Sequence, residues 1–240
     1  TMESKSSTGF QGVVGAFNDG FRTSVKGEDY IGDRGRGWIY GNGNSYEGLK
    51  WAVTGAVSNK YNSSSVSAVS VYNDVSAGAS INYVECHDGS TLADKISVTV
   101  GGSLSNRQKY TELATSLVMF SQGVSFIHAG QEMLRSKKVP TEWLNDPAIK
   151  ADLNTDHYQS GYFTNSYNYS DAVNGINWNW AITNSKTVSS VRDMIELKKD
   201  HRAFFSQSNG TNIINNVVFK GTGNNTLLAY EITPDSSKTI

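Results

Sequence analysis

The sequence predicts an α/β fold that turns into an all-β pattern near its C-terminal end, and three observations predict it. Short apolar runs at residues 12–17, 81–84 and 124–130 each end in turn or loop chemistry. Amphipathic helical patterns separate these runs, so helix, strand and loop repeat in order. After Asn209-Gly210 the period changes to two β-type stretches around a Gly/Asn turn.

The elements follow in chain order. Gly12 to Phe17 reads as a buried strand that Asn18-Asp19-Gly20 ends. Residues 31–45 are Gly-rich and read as a long loop. Leu49, Ala52, Val53, Ala56 and Val57 then recur at helical spacing and predict a packed helix over 46–58. Residues 61–80 are Ser- and Val-rich and bridge to a strand at Ile81–Val84, after which the chain reads as polar. Ser105 is placed as the N-cap of a helix reaching Gln122, with Leu113, Leu117, Val118 and Phe120 facing the core. Gly123 stops it, and a further strand begins at Val124. Residues 138–162 show no strong period. Val191, Met194, Ile195 and Leu197 mark a helix over 187–205, whose Lys198 and Lys199 complement the helix dipole. Residues 216–220 and 226–232 form the closing hairpin.

Composition narrows the function. With 21 basic and 22 acidic residues the net charge is −1, which leaves no electrostatic footprint for nucleic acid. No apolar run reaches the roughly 18–20 residues of a membrane span. The 12 Tyr and 5 Trp, among abundant Asn, Ser and Gly, suit a neutral polar ligand such as a sugar, whose ring faces stack and whose hydroxyls hydrogen-bond. This composition leans toward an extracellular or cell-surface setting. The one cysteine, Cys86, excludes an internal disulfide and a thiolate-rich zinc site, and reads as a small buried residue.

The chemistry centres on Glu85-Cys86-His87-Asp88-Gly89, at the end of the predicted strand. The C-terminal ends of strands are where α/β folds free side chains to converge on a ligand. On residue type alone, a His-Asp dipeptide more often caps a turn. By the same measure Asp19 and Arg22 read as a local ion pair, and His128 and Glu132 as hydrogen-bonded scaffold.

The wording around these residues carries more. Tyr83-Val84-x-x-His87-Asp88-x-x-Thr91-Leu92-x-Asp94-Lys95 resembles the fourth signature region of the α-amylase superfamily, in the form used by type I pullulanases. Three further segments are similar to the same enzymes in the same order: Phe17-Asn18-Asp19-x-x-Arg22, His128-Ala129-Gly130-Gln131-Glu132-x-x-Arg135-x-Lys137, and Asn165-Ser166-Tyr167-x-x-x-Asp171-x-x-Asn174-x-Ile176-x-Trp178. The resemblance implies the last part of a (β/α)8 TIM barrel over residues 1–205, followed over 206–240 by the start of a C-terminal β-sandwich domain. It implies Asp88 as the catalytic carboxylate that stabilises the transition state, and His87 as a ligand of sugar hydroxyls. Asn168 and Asp171 are implied to bind neighbouring sugar units. The implied partner is an α-glucan such as pullulan, branched starch or glycogen. The resemblance implies no certain cofactor and leaves a structural Ca²⁺ possible, since superfamily members often hold one; no EF-hand-like spacing is present here.

Two parts of that machinery are not found. Neither an Arg-x-Asp nucleophile motif nor a Gly-Glu-x-Trp acid motif occurs in the sequence. Retaining hydrolysis needs both carboxylates, so the chain alone is expected to be inactive and to require the N-terminal half of the same enzyme. The alternatives are a non-catalytic α-glucan-binding protein and a superfamily enzyme acting on α-1,4 linkages. Gly89 and Cys86 depart from the family pattern, in which Asn stands after His-Asp and Ser or Asn at the position of Cys86.

Overall fold

The computed structural model describes residues 15–28, 35–57, 77–147, 158–159 and 161–235. Three short strands, β1 (Ala16–Phe17), β2 (Ser80–Asn82) and β3 (Val124–Ser125), pair in parallel in sequential order. Ala16 and Phe17 align with Ser80 and Ile81, and Ile81 and Asn82 with Val124 and Ser125. Parallel neighbours need a crossover. Helices α1 (Asp19–Val25) and α2 (Tyr46–Val53) lie between the first two strands, and α3 (Leu92–Val100) and α4 (Leu104–Phe120) between the second and third. The predicted strand segment 12–14 and the bridge 61–76 lie outside the described residues.

Three of the four crossover helices, α1, α3 and α4, start at a side-chain cap. Asn18 Oδ1 accepts from Phe21 N at 2.9 Å and caps α1. Thr91 Oγ1 accepts from Asp94 N at 3.1 Å, so α3 begins directly after the His-Asp loop, where only a polar segment is predicted. The cap of α4 is Ser103, not Ser105, and the helix ends at Phe120 rather than Gln122. Both β2 and β3 are shorter than the apolar runs that predict them. Beyond Asn82 and Ser125 the chains diverge into loops, which leaves Tyr83, Val84 and Glu85 buried without a ladder.

The remaining elements are β4 (Tyr158–Gln159), β5 (Tyr162–Phe163), α5 (Asp171–Asn174), α6 (Asn179–Thr183), α7 (Ser185–Asp200), α8 (Arg202–Phe205), α9 (Gly210–Asn216), β6 (Val217–Phe219) and β7 (Tyr230–Ile232). The single helix predicted over 187–205 is interrupted at His201 and is two helices. Lys198 also differs from its predicted role. It turns inward and donates to Met119 O at 2.9 Å and Ser125 Oγ at 2.9 Å, and burial lowers its pKa to about 8. It therefore pins α7 to the junction of α4 and β3.

Phe21, Leu49, Trp51, Leu92, Ile96, Val118 and Ile213 belong to one buried cluster that α1–α4 and α9 share. The β6–β7 hairpin is antiparallel, with Val217 opposite Ile232, and it packs on that cluster through Val217, Phe219 and Tyr230. Val139, Phe163 and Val173, with Trp143 and Tyr169, make a smaller cluster under the loop at 165–175. No described helix is long and apolar enough to cross a membrane.

Candidate active site

The loop that leaves β2 is buried at both ends and exposed in the middle. Tyr83, Val84 and Glu85 are buried, as are Ser90 and Thr91, whereas the side chains of His87 and Asp88 are 79% and 71% exposed. His87 Nε2 and Asp88 Oδ2 stand 3.2 Å apart. Gly89 holds φ +77°, the left-handed region where Gly carries no steric penalty and Asn is among the best tolerated alternatives. The departure from the family wording at this position therefore keeps the turn and removes one side chain from beside Asp88.

The loop is supported from beneath by buried cations. Lys26 Nζ donates to Ser90 O at 3.2 Å, and Lys137 Nζ to Gly89 O at 2.6 Å and to His87 O at 3.5 Å. Lys137 also reaches Thr164 O at 3.4 Å, which connects the loop to the segment carrying Asn168. Charge-assisted bonds of this kind fix main-chain carbonyls more firmly than neutral ones. The consequence is an exposed carboxylate on a backbone that cannot easily shift.

Two buried carboxylates complete the support. Glu85 is 1% exposed; its Oε2 accepts from Leu92 N at 2.8 Å and its Oε1 meets His128 Nδ1 at 2.9 Å. Asp94 accepts from Ser136 Oγ at 2.6 Å and Lys137 N at 2.7 Å. Burial pushes its pKa up to about 6. Between about pH 4 and pH 6 the folded chain therefore binds the proton more tightly than the unfolded chain. This group's contribution to stability is fully present below about pH 4 and is lost as pH rises through 6. Replacement Asp94→Asn is expected to flatten that part of the stability profile, which urea titrations at a series of pH values measure.

Asp19 and Arg22 form the expected local pair, 3.8 Å apart, and both engage Tyr83, whose hydroxyl donates to Asp19 Oδ1 at 2.6 Å and accepts from Arg22 Nη1 at 3.0 Å. Cys86 is half-buried rather than fully buried. Its Sγ lies 3.5 Å from Asp88 O, and desolvation pushes the thiol's pKa up, so its thiolate is disfavoured.

Asn168 is exposed, and Asp171 lies in the first turn of α5. A groove of about 680 Å³ is lined by Arg107, Ser136, Lys138, Asp171, Asn177 and Trp180, among others. Of the four predicted site residues, Asp171 alone lines this groove. Ser136 and Lys138 line it while Lys137, between them, bonds the His87–Gly89 loop, so the chain at 136–138 serves both places. Glu85, Arg135 and Lys137 stand inside the quoted segments, but the sequence reading gives none of them a chemical role. The Thr91-x-x-Asp94 spacing is a capping-box signal that points to α3, and hence to a buried acceptor beside its start. Among the described residues no group of three or more His, Cys, Asp or Glu side chains converges to hold a metal ion, so no residues are assigned to Ca²⁺.

No family model matches the chain. A pullulanase from Bacillus subtilis is 31% identical over 192 residues, 80% of this chain and 22% of that protein. A chloroplastic pullulanase from Arabidopsis thaliana is 36% identical over 104 residues, 42% of this chain and 9% of that protein. Among solved structures, the pullulanase from Bacillus acidopullulyticus superposes with a TM-score of 0.71 at 28% identity, covering 91% of this chain and 22% of that one. A pullulanase variant from Paenibacillus barengoltzii, complexed with maltotetraose, superposes with a TM-score of 0.68 at 32% identity, covering 87% of this chain and 27% of that one. Homologues and structural neighbours named as pullulanases thus cover most of this chain. The chain is similar to pullulanases over most of its own length and spans only about a quarter of theirs.

Proposed function

We propose that this chain is the C-terminal part of the catalytic (β/α)8 barrel of a pullulanase-like enzyme, with the start of a β-sandwich domain after residue 205. The complete enzyme hydrolyses α-1,6-glucosidic linkages in pullulan, branched starch or glycogen with retention. The sequential parallel order of β1, β2 and β3 supports the barrel, because neighbouring strands of a barrel follow one another in sequence.

The observation that carries the reading is the placement of His87 and Asp88, exposed at the C-terminal end of the middle strand on a loop held by buried charges. Asp88 acts as a fixed negative charge that stabilises the oxocarbenium-like transition state, and His87 binds hydroxyls of the same sugar. Neither carries out the covalent step. An attacking carboxylate and a protonated acid must face each other across the scissile bond, and the upstream half of the barrel supplies both. Asn168 and Asp171 bind the adjoining glucose units. The maltotetraose in the Paenibacillus barengoltzii complex supports an α-1,4-linked glucan as the bound chain.

The test is reducing-sugar release from pullulan. The folded 240-residue chain should release none, and a chain extended upstream by its barrel half should release maltotriose-sized products. Hydrolysis by the folded 240-residue chain itself would overturn the reading.

A further inference from the structure

Beneath the two loops assigned to substrate lies a continuous set of buried and partly buried bonds that joins them. Glu85 Oε2 accepts from Leu92 N, and Oε1 meets His128 Nδ1 at 2.9 Å. His128 Nε2 meets Arg135 Nη1 at 3.4 Å, and Arg135 Nη2 donates to Asn174 O at 2.8 Å. Asn174 ends α5, the helix that begins at Asp171, and its Nδ2 donates to Ser166 O and Tyr169 O on either side of Asn168. One line of contacts therefore runs from beside Asp88 to the backbone that carries Asn168 and Asp171.

The donor chemistry of this line has one consistent solution. A guanidinium only donates, so His128 Nε2 must accept; a carboxylate accepts, so His128 Nδ1 must carry the proton. Both neighbours demand the same neutral tautomer, and the partly buried imidazole is held between a cation and the buried Glu85 carboxylate. Gly130 keeps Arg135 in place: at φ +97° a Cβ there would lie 2.9 Å from Arg135 Cβ and Cδ. A close approach to Arg135 requires Gly at this position.

We propose that Glu85, His128 and Arg135 are positioning residues that couple the loop of His87 and Asp88 to the loop of Asn168 and Asp171, with His128 fixed as the Nδ1-protonated neutral tautomer. Ordering of one loop by a sugar unit then orders the other. The proposal rests on the reading of these loops as substrate-binding, but its test does not use sugar.

The test measures imidazole ¹⁵N shifts and amide hydrogen exchange on the 240-residue chain. His128 should show a protonated Nδ1 and an unprotonated Nε2; the opposite tautomer would overturn the proposal. In His128→Phe, exchange at Leu92 and Gly175 should both rise by about tenfold or more, since loss of one buried bond shifts a local opening equilibrium by that order. A rise at only one of them, or at neither, contradicts the coupling. His128→Asn keeps a donor near the Nδ1 position, so Leu92 should stay protected within about twofold while Gly175 accelerates. Should His128→Phe fail to fold, Arg135→Met serves: it must speed exchange at Leu92, whose amide bonds Glu85 and not Arg135. A restored enzyme that cannot hydrolyse pullulan while the exchange remains coupled would remove the functional reading and leave the relay standing. Active enzyme with uncoupled exchange would do the reverse.

Discussion

Asp88→Asn is expected to lower pullulan hydrolysis by about a thousandfold in a chain to which the upstream barrel half has been restored, with no change in the melting midpoint. The two halves of this expectation come from different observations. The substitution removes one unit of negative charge and almost no volume, so the fixed charge facing the oxocarbenium-like centre is lost while the cleft keeps its shape. The Asp88 side chain is 71% exposed, and its one polar side-chain contact given by the structure is His87 at 3.2 Å, so folding does not depend on it. The loop beneath is held through carbonyls of His87, Gly89 and Ser90, which the substitution leaves in place. The measurement is kcat and KM on pullulan beside a thermal melt. A loss below about tenfold, or one accompanied by a lower melting midpoint, would mean that Asp88 is not the transition-state carboxylate.

The sequence makes the exposed part of this site legible and leaves its support hidden, for a physical reason. His87, Asp88 and Asp171 are polar residues in a recognisable order, so their wording alone singles them out. Glu85, Arg135 and Lys137 are equally polar, and only the fold reveals that they are buried and bonded to groups about 40 residues or more away: Glu85 to His128, Lys137 to Gly89, Arg135 to Asn174. Periodicity cannot report such pairs, because it describes one element at a time. The helix predicted over 46–58 was found because its stripe at Leu49, Ala52 and Val53 faces the shared core, but it ends at Val53, and Ala56 and Val57 are buried beyond it. Helix α3 escaped because two of its first four residues are Asp94 and Lys95, both buried but charged, so its start reads as polar. The strands were overextended because buried loop residues such as Tyr83 and Val84 are as apolar as strand residues. Lys198 shows the same limit beside β3, where a residue suited to the helix dipole turns its charge to acceptors on α4 and β3 instead.

Gly27→Ala is expected to destabilise the chain by about 3 kcal/mol or more. Gly27 follows α1 with φ +86°, and a Cβ there would fall on the carbonyl oxygen of Gly35 and within 2.6 Å of Gly37 N. Both obstacles are main chain, so no side-chain rotation can relieve them. The close crossing of 25–27 and 35–37 must open instead. Lys26, whose ammonium holds Ser90 O, sits in that crossing, so the damage should reach the His87-Asp88 loop and appear as faster exchange at its amides. Gly41→Ala is the control: its φ is +83°, but nothing lies within 4 Å of the added Cβ, so only the conformational penalty of about 1 kcal/mol applies. Denaturant midpoints of the two variants separate steric closure from backbone strain. Equal losses would mean that the crossing yields without cost, and that Lys26 is not held at the site by the packing of these glycines.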